Sequence, residues 1–345
     1  MSTSTIAVGR ASRMPVWGSV LAALVIAELV YFSLTNKNFF GGGSGMLTQI
    51  ELFLPTGILA MGAAVVILTG SIDLSAGAIA SLSSVVVGTE LASGANPVVA
   101  ILVALVVAAF IGLVNGLIVA VFGIDSLLVT LATQFIASSV AVSLAGDSPP
   151  QGFSKRFIAL GQGTVAGVPI ALLIFLAVTI GTAVLVGRSG FGRRIVLTGH
   201  NPSAARYSGI RVARTLVGVF TLAGLISGIG GVVLAAYFNA GRSDSGMSLL
   251  LPAITCVVLG GVDIFGGKGR IGEVAMAVLL LGFLTQGLLN SGFSSLTTTM
   301  VTGLLLIVGL IVKIAFERQS GESVFAVLAK RLRRVGQRGE VPSRS

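Results

Sequence analysis

The residues that could perform chemistry in this sequence are few, and they are scattered through long apolar runs. Of 345 residues, 54% are hydrophobic and 10% are charged, with one histidine and one cysteine. His200 lies in an arginine-rich stretch and Cys256 in an apolar run, so no histidine-based catalytic cluster, disulfide or zinc site can be assembled. GGKGR at 266–270 superficially resembles a phosphate-binding loop, but Val262 occupies its first glycine position and Gly269 follows the lysine. We therefore expect no enzyme, and no cofactor or metal bound by this chain.

Polar groups inside apolar runs are costly in a lipid bilayer, so each is a functional candidate. Seven of them are candidates for a path along which a hydrophilic solute crosses: Asp73, Ser75, Asn115, Gln134, Asn239, Gln286 and Asn290. Gln286 and Asn290 are four residues apart and share one face of a helix. Hydrogen bonding between helices explains Asn115 and Gln134 about as well as contact with a solute does.

Two segments share the pattern Gly-x-aliphatic-Asp-aliphatic-x-x-Gly, namely 70–77 and 260–267. Both fall where one apolar run ends and the next begins. The favoured interpretation of Asp73 and Asp263 is structural, because an aspartate before a new helix can cap it and complement its dipole. The similarity is weak evidence for an internal duplication.

The longest polar interruption runs from Arg188 to Arg214 and contains six arginines but no Asp or Glu. Its centre predicts a short helix, since Asn201 can cap it, Pro202 suits the first helical position and Gly209 can end it. The residues between are Ser203, Ala204, Ala205, Arg206, Tyr207 and Ser208. A short, capped, basic helix between two membrane spans predicts a cytoplasmic docking element on which another protein acts.

The elements that position these residues are membrane helices. The mean hydropathy is +1.01, and soluble domains carry about 25% charged residues, so we expect an all-α integral membrane protein. Ten runs approach the length of about 20 residues that a span requires: 16–34, 49–69, 72–92, 97–121, 127–146, 168–187, 214–238, 249–263, 271–290 and 294–313. The run at 72–92 starts directly after its predecessor and the run at 249–263 is short, so broken or re-entrant segments are expected there.

The distribution of positive charge predicts the orientation. With the N-terminus in the cytoplasm, ten crossings return the C-terminus to the same side, and 18 of the 22 Lys and Arg then lie inside. The chain divides into a cytoplasmic N-terminus at 1–15, a membrane domain at 16–313 with a cytoplasmic loop at 188–213, and a basic cytoplasmic tail at 314–345 on the anionic inner leaflet. A loop rich in Gly, Ser and Pro at 147–168 is expected outside. The net charge of +10 reflects this topology rather than nucleic-acid binding.

Three blocks of the sequence resemble the permease subunits of ribose-type ABC importers, which take up sugars and related compounds such as autoinducer-2. The blocks are GSIDLSAGAIASLSS at 70–84, GRRIVLTGHNPSAARYSGI at 192–210, and a longer block at 251–290 that begins LPAITCVVLGGVDIFGGKGR. Residues 203–209 are similar to the coupling signature Glu-Ala-Ala-x3-Gly of these importers, with Ser203 where glutamate is usual. With spacing kept, the resemblance covers roughly residues 57–310.

The resemblance implies a subunit of a bacterial cytoplasmic-membrane importer that pairs with a second copy or a sister permease. It also implies cytosolic ATPase subunits that use ATP and dock on the helix at 201–209, and a solute-binding protein outside. A branched-chain amino-acid ABC permease is the first alternative. A secondary transporter or channel without an ATPase would more often show paired charges within its spans, and a non-transporting scaffold would not need the coupling signature.

Overall fold

The computed structural model describes residues 15–35 and 50–319 of the chain. Two predicted segments lie wholly or partly outside the described residues: the cytoplasmic N-terminus before residue 15, and the basic tail predicted at 314–345 from residue 320 onward.

Thirteen α-helices make up most of the described structure. They are α1 (Pro15–Thr35), α2 (Leu54–Ile67), α3 (Ala76–Ala92), α4 (Pro97–Phe122), α5 (Ser126–Ala145), α6 (Lys155–Gln162), α7 (Ile170–Arg188), α8 (Gly190–His200), α9 (Pro202–Tyr207), α10 (Val212–Phe238), α11 (Leu250–Leu259), α12 (Ile271–Asn290) and α13 (Ser295–Gln319). Short 3₁₀ helices at Glu51–Phe53 and Met247–Leu249 lead into α2 and α11. Two antiparallel strands, β1 (Thr164–Val165) and β2 (Val168–Pro169), lie between α6 and α7.

Local side-chain chemistry decides where the long helices begin. Asn96 accepts a hydrogen bond from the Val98 amide at 2.9 Å, which caps α4. Asp125 accepts one from the Leu127 amide at 2.8 Å and caps α5. Such caps satisfy amides that have no partner within the helix. Only the turn at 123–125 separates α4 from α5, so the two helices lie side by side.

Every predicted membrane run contains a helix. In the described part of the chain, six helices are long and apolar enough to cross a bilayer: α1, α4, α5, α7, α10 and α12. The other four predicted runs contain α2, α3, α11 and α13. Their apolar helical stretches are shorter, and that of α13 is counted as Ser295–Gly309. The all-α membrane architecture is thus confirmed, while ten full crossings remain a prediction.

Helix α2 forms the centre of the bundle, because all 14 of its residues are buried. Helix α10 runs beside it and packs closely on α4, where a methyl group on Gly224 would lie 3.0 Å from the Cα of Gly112. Small residues allow this approach, and dispersion contacts between close backbones stabilise helix pairs in lipid. On the outer surface, large apolar side chains such as Val106, Phe135 and Ile180 are exposed, as a lipid-facing surface requires.

Both segments expected to be broken depart from a continuous span. Helix α3 begins only at Ala76, after a non-helical stretch at 70–75. Helix α11 has 10 residues, which at 1.5 Å per residue gives about 15 Å, roughly half of a bilayer core. The chain reaches α11 through an irregular segment at 239–249, which we call the re-entrant segment.

The re-entrant segment descends along α3. Gly241 packs against the backbone of Ser84 and Val85, whereas the Gly246 amide donates to Ser81 Oγ at 2.9 Å and lies against Gly77. These two contact points are about seven residues apart on α3, so the segment descends about 10 Å. It thus brings an irregular backbone to membrane depth.

Two helices lie in regions that were expected to be loops. Helix α8 occupies the first half of the arginine-rich loop, where Ser189 Oγ accepts a hydrogen bond from the Gly192 amide at 3.0 Å. This helix is hard to predict from the sequence because it contains glycines at 190, 192 and 199, and glycine is unfavourable in a helix interior. Helix α6 and the β1–β2 hairpin occupy much of the loop predicted at 147–168.

Candidate functional site

The short capped helix predicted within the arginine-rich loop is present as α9. Asn201 Oδ1 accepts hydrogen bonds from the amides of Ser203 and Ala204, both at 3.1 Å, and Pro202 occupies the first turn. Gly209 has a φ of +80°, which ends the helix in a conformation that glycine adopts at no steric cost. The local prediction is therefore confirmed at its cap, its first turn and its end.

Helix α9 presents nearly all of its surface to solvent. Ser203, Ala204, Arg206 and Ser208 are exposed, and Ala205 is the buried contact to the rest of the protein. Tyr207 is 94% exposed. A capped helix with one inward residue and an outward aromatic side chain is suited to contact a partner rather than to pack within this chain.

Helix α8 connects α9 to the membrane bundle. His200 Nδ1 lies 3.1 Å from the Gly267 carbonyl oxygen, and because a carbonyl only accepts, the ring nitrogen carries the proton. The Gly267 amide in turn donates to the Leu68 carbonyl at 2.9 Å, at the end of the central helix α2. His200, which precedes the Asn201 cap of α9, is thus linked to the end of α2 through two successive hydrogen bonds.

The backbones of these segments approach closely because glycines lie at the contact. We call this set of four the glycine junction: Gly70, Gly199, Gly266 and Gly267. A methyl group on Gly266 would lie 2.8 Å from the Cα of Gly70 and 3.1 Å from the Cα of Gly199. One on Gly199 would lie 2.5 Å from the Gly267 nitrogen and would overlap the Leu68 carbonyl. Side chains have no room here, so the three sequence blocks meet backbone to backbone.

The two similar glycine–aspartate segments adopt the same local turn. Asp73 Oδ1 accepts from the Ser75 amide at 2.8 Å, and Asp263 Oδ1 accepts from the Phe265 amide at 3.0 Å. Asp73 lies three residues before α3, whose N-cap residue is Ser75, so the expectation of a cap is met only in that the Asp73 side chain orders the turn leading into the helix. The same expectation is wrong for Asp263, because the next helix, α12, starts only at Ile271.

The non-helical stretch at 70–75 is held by a row of hydroxyl groups on α5, which we call the hydroxyl row: Ser126, Thr130 and Thr133. The Ile72 amide donates to Ser126 Oγ at 3.1 Å and the Leu74 amide to Thr130 Oγ1 at 3.0 Å. Sequence reasoning missed this row because it considered charges and amides. The spacing of four and then three residues, which places all three on one helix face, was the available signal.

Three of the predicted pathway residues come together beside this row. Ser75 Oγ donates to Asp73 Oδ1 at 2.5 Å and accepts from Asn115 Nδ2 at 3.0 Å. Asn115 Oδ1 accepts from Thr133 Oγ1 at 2.6 Å. Asp73, Ser75 and Asn115 are all buried. This polar network joins α3, α4 and α5 and fixes the position of the broken segment in the bundle.

The other four candidates lie elsewhere. Gln134 is half-buried, and its neighbour Thr133 makes the contact to Asn115 instead. Asn239 ends α10 with a φ of +51°, and its Oδ1 accepts from the Phe153 amide at 2.8 Å, which ties down the loop before α6. Gln286 and Asn290 lie on α12, which packs against α1, α2 and α11. The seven residues are therefore divided among three regions.

Asn290 lines a groove of about 410 Å³ between the ends of α1 and α12. Its other lining residues are Tyr31, Phe32, Thr35, Leu288, Ser291 and Phe293. Aromatic and hydroxyl groups are mixed in this groove, but it is separate from the polar network.

The re-entrant segment carries charged groups that sequence reasoning counted only for topology. Arg242 and Asp244 form two hydrogen bonds, at 2.9 and 3.1 Å, and the guanidinium lies 5.2 Å from the centre of the Phe238 ring. Irregular backbone at membrane depth is tolerated where it lines a water-filled cavity or is covered by protein. The exposed pair therefore marks the position of an aqueous space or of a partner.

His, Cys, Asp and Glu side chains are scattered among the residues that the structure describes. No group of three or more His, Cys, Asp or Glu side chains lies close enough to share an ion. Cys256 is fully buried in α11, and His200 is engaged by the glycine junction.

Comparison with known proteins identifies related permeases. A family model described as branched-chain amino acid transport system / permease component matches residues 45–310. The autoinducer 2 import system permease protein LsrD of Yersinia enterocolitica is 37% identical over 297 residues, which is 84% of this chain and 89% of the relative. The protein of the same name from Photorhabdus luminescens is 35% identical over 301 residues, 86% of this chain and 90% of the relative. No solved structure matches significantly.

Proposed function

We propose that this chain, which belongs to the family of branched-chain amino acid transport system permease components, is the membrane-spanning permease subunit of an ABC importer for a sugar or sugar-like solute. It is a multi-pass protein of the cytoplasmic membrane, and permeases of this family are transporters rather than enzymes. The observation that carries the proposal is α9, an exposed, capped helix joined by backbone contacts to the central helix of the bundle.

The proposed solute class follows the relatives rather than the description of the family model. That description names branched-chain amino acids, whereas the relatives that align along most of their length are named for autoinducer 2. A small, oxygen-rich solute of that kind can exchange hydrogen bonds with hydroxyl and amide groups. The polar network and the hydroxyl row are engaged in hydrogen bonds within the chain, so the proposed solute class rests on the names of these relatives.

The proposed mechanism places the energy source outside this chain. A cytosolic ATPase subunit binds and hydrolyses ATP and moves α9. Because α9 follows directly on α8, and α8 meets Leu68 and Gly70 at the glycine junction, a displacement of α9 reaches the stretch at 70–75 through backbone contacts. That stretch carries Asp73 and Ser75, so its position relative to α4 and α5 changes with the state of the ATPase.

The other partners complete the pathway. An extracytoplasmic binding protein delivers the solute at the end of the bundle formed by α6, the β1–β2 hairpin and the re-entrant segment. A second permease, either another copy or a sister subunit, covers the side of the bundle that would otherwise leave the re-entrant segment exposed to lipid.

The test is a gentle-detergent purification of the tagged chain from its native cells, with mass spectrometry of the accompanying proteins. We expect an ABC-type ATPase subunit in stoichiometric amount and ATP-dependent uptake by the purified complex in vesicles. The ligand of a co-purifying binding protein then identifies the solute. An oligomer without an ATPase that still transports solute in vesicles would contradict the proposal and favour a secondary transporter.

A further inference from the structure

A second exposed apolar group lies at the same end of the bundle as α9. Residues 263–269, which we call the glycine loop, hold Phe265 with 81% of its surface exposed and Ile264 with 44% exposed. The loop is ordered by its own hydrogen bonds: the Gly266 amide donates to the Asp263 carbonyl at 2.9 Å, and the Asp263 amide donates to the Lys268 carbonyl at 2.9 Å. A large apolar side chain held outward by a closed turn is typical of a contact anchor.

The position of the loop argues against lipid as the occupant. The Gly267 amide bonds to Leu68 at the end of α2, and α2 is buried along its whole length. The loop therefore lies over the centre of the bundle rather than at its lipid-facing rim. The Phe265 carbonyl packs against Gly70, so the backbone is fixed there while the ring is exposed.

The charge around the loop indicates the chemistry of the partner. The neighbouring stretch from Arg188 to Arg214 has six arginines and no acidic residue, and the glycine loop adds Lys268 against a single acid, Asp263. A complementary surface is acidic at its rim and contains an apolar pocket for an aromatic ring. Lys268 and α9 lie on either side of the glycine junction, so one partner surface can cover both.

We propose that the glycine loop is a second contact for the cytosolic ATPase subunit, with Phe265 as its anchor beside α9. This inference rests on the proposed function and extends it. Since the loop and α8 share the glycine junction, a partner that holds both Phe265 and α9 moves α8, the loop and the stretch at 70–75 as one body. A partner that contacts α9 alone could instead tilt α9 relative to α8.

Site-specific photocrosslinking separates this inference from the proposed function. The probe p-benzoylphenylalanine is placed at Tyr207, at Phe265 or at Phe293, in native membranes that contain the ATPase subunit recovered in the purification described above. Phe293 is 49% exposed and follows α12 at the opposite end of the bundle, so it is the negative control. We expect ATPase adducts from the positions of Tyr207 and Phe265 and none from that of Phe293.

Each other outcome overturns a defined claim. Adducts from the Tyr207 position alone would leave the proposed function intact and contradict the role of the glycine loop. Adducts from the Phe265 position to lipid or to a second copy of the chain would do the same. No ATPase adduct from either position would contradict both.

The affinity of the chain for the ATPase subunit provides a quantitative test of the Phe265 contact. Phe265→Ser should weaken the affinity for the ATPase subunit about tenfold, the effect expected of an aromatic anchor. Its melting temperature should equal that of the wild type, because the ring has few contacts within the chain. Phe293→Ser should leave the affinity unchanged. An unaltered affinity of Phe265→Ser would refute the anchor.

Discussion

Asn115 illustrates how one polar residue in a membrane helix can hold an irregular segment in place. It is fully buried and uses its amide nitrogen for Ser75 and its amide oxygen for Thr133. Asp73, Ser75 and Thr133 all depend on this arrangement for complete hydrogen bonding. The neighbouring candidate Gln134 is half-buried and lies outside the network, so the two amides that looked alike in the sequence have different environments.

Removing the Asn115 amide should therefore destabilise the protein more than removing that of Gln134. Asn115→Ala leaves the half-buried Thr133 hydroxyl without its acceptor and the buried Ser75 hydroxyl without a donor, at a cost of about 1–3 kcal/mol. The melting temperature of the purified protein in detergent measures the effect, and we expect a clear decrease for Asn115→Ala and little change for Gln134→Ala. Equal melting temperatures for the two variants would show that the network does not contribute to stability.

At the scale of elements, the glycine junction connects α9 to the membrane bundle. Its residues are far apart in the sequence but meet within backbone contact, and Gly199 has the least room of the four. Gly199 lies in the last turn of α8, two residues before the Asn201 cap, so α9 begins directly at the junction. The connection is made by backbone atoms, which deform less readily than side chains, so a displacement on one side is transmitted to the other.

Gly199→Ala should uncouple ATP hydrolysis from transport. The added methyl group would overlap the Leu68 carbonyl and force α8 away from α2, which we expect to cost about 1–3 kcal/mol. Helix α9 remains intact, so the ATPase subunit should still bind while solute uptake falls at least tenfold. Gly187→Ala is the matched control, since it is also a helical glycine but has open space around its Cα; full uptake by Gly199→Ala would exclude this route of coupling.

Apolar runs and local capping chemistry could be predicted from the sequence, whereas contacts between distant segments could not. Each predicted run contains a helix, and the cap at Asn201 and the end at Gly209 were predicted residue by residue, because both depend on neighbours within four positions. The glycine junction depends on backbone contacts between segments more than 60 residues apart, which no local pattern encodes. The role of Asn239, which ends α10 in the αL conformation and accepts a hydrogen bond from the distant Phe153 amide, is of the same kind.

For the whole molecule, the arrangement of charge and the central position of α2 define two functional ends. One end carries α8, α9 and the glycine loop with their arginines and lysine, and the other carries α6, the hairpin and the start of the re-entrant segment. The positive-inside rule assigns the first end to the cytoplasm. The proposed docking at one end and the proposed solute entry at the other are then separated by the thickness of the membrane.

A single cysteine can test this orientation. Ser203 lies in α9 and is exposed, and the native Cys256 is fully buried, so it should not react in the folded protein. We expect Ser203→Cys in intact cells to be labelled by a membrane-permeant maleimide but not by an impermeant one. Labelling by the impermeant reagent from outside would reverse the topology. The unmodified chain is the control for the reactivity of Cys256.

The central claim, that a partner ATPase drives this permease through α9, is tested most directly by solute uptake into vesicles that contain the purified permease–ATPase complex. We expect uptake to require ATP and to be lost in Ala204→Glu, which places a bulky charge on the exposed docking surface, and in Gly209→Pro, because proline cannot adopt the φ of +80° found there. Both variants should still reach the membrane. Uptake that persists without the ATPase subunit, or at wild-type rates in both variants, would contradict the account.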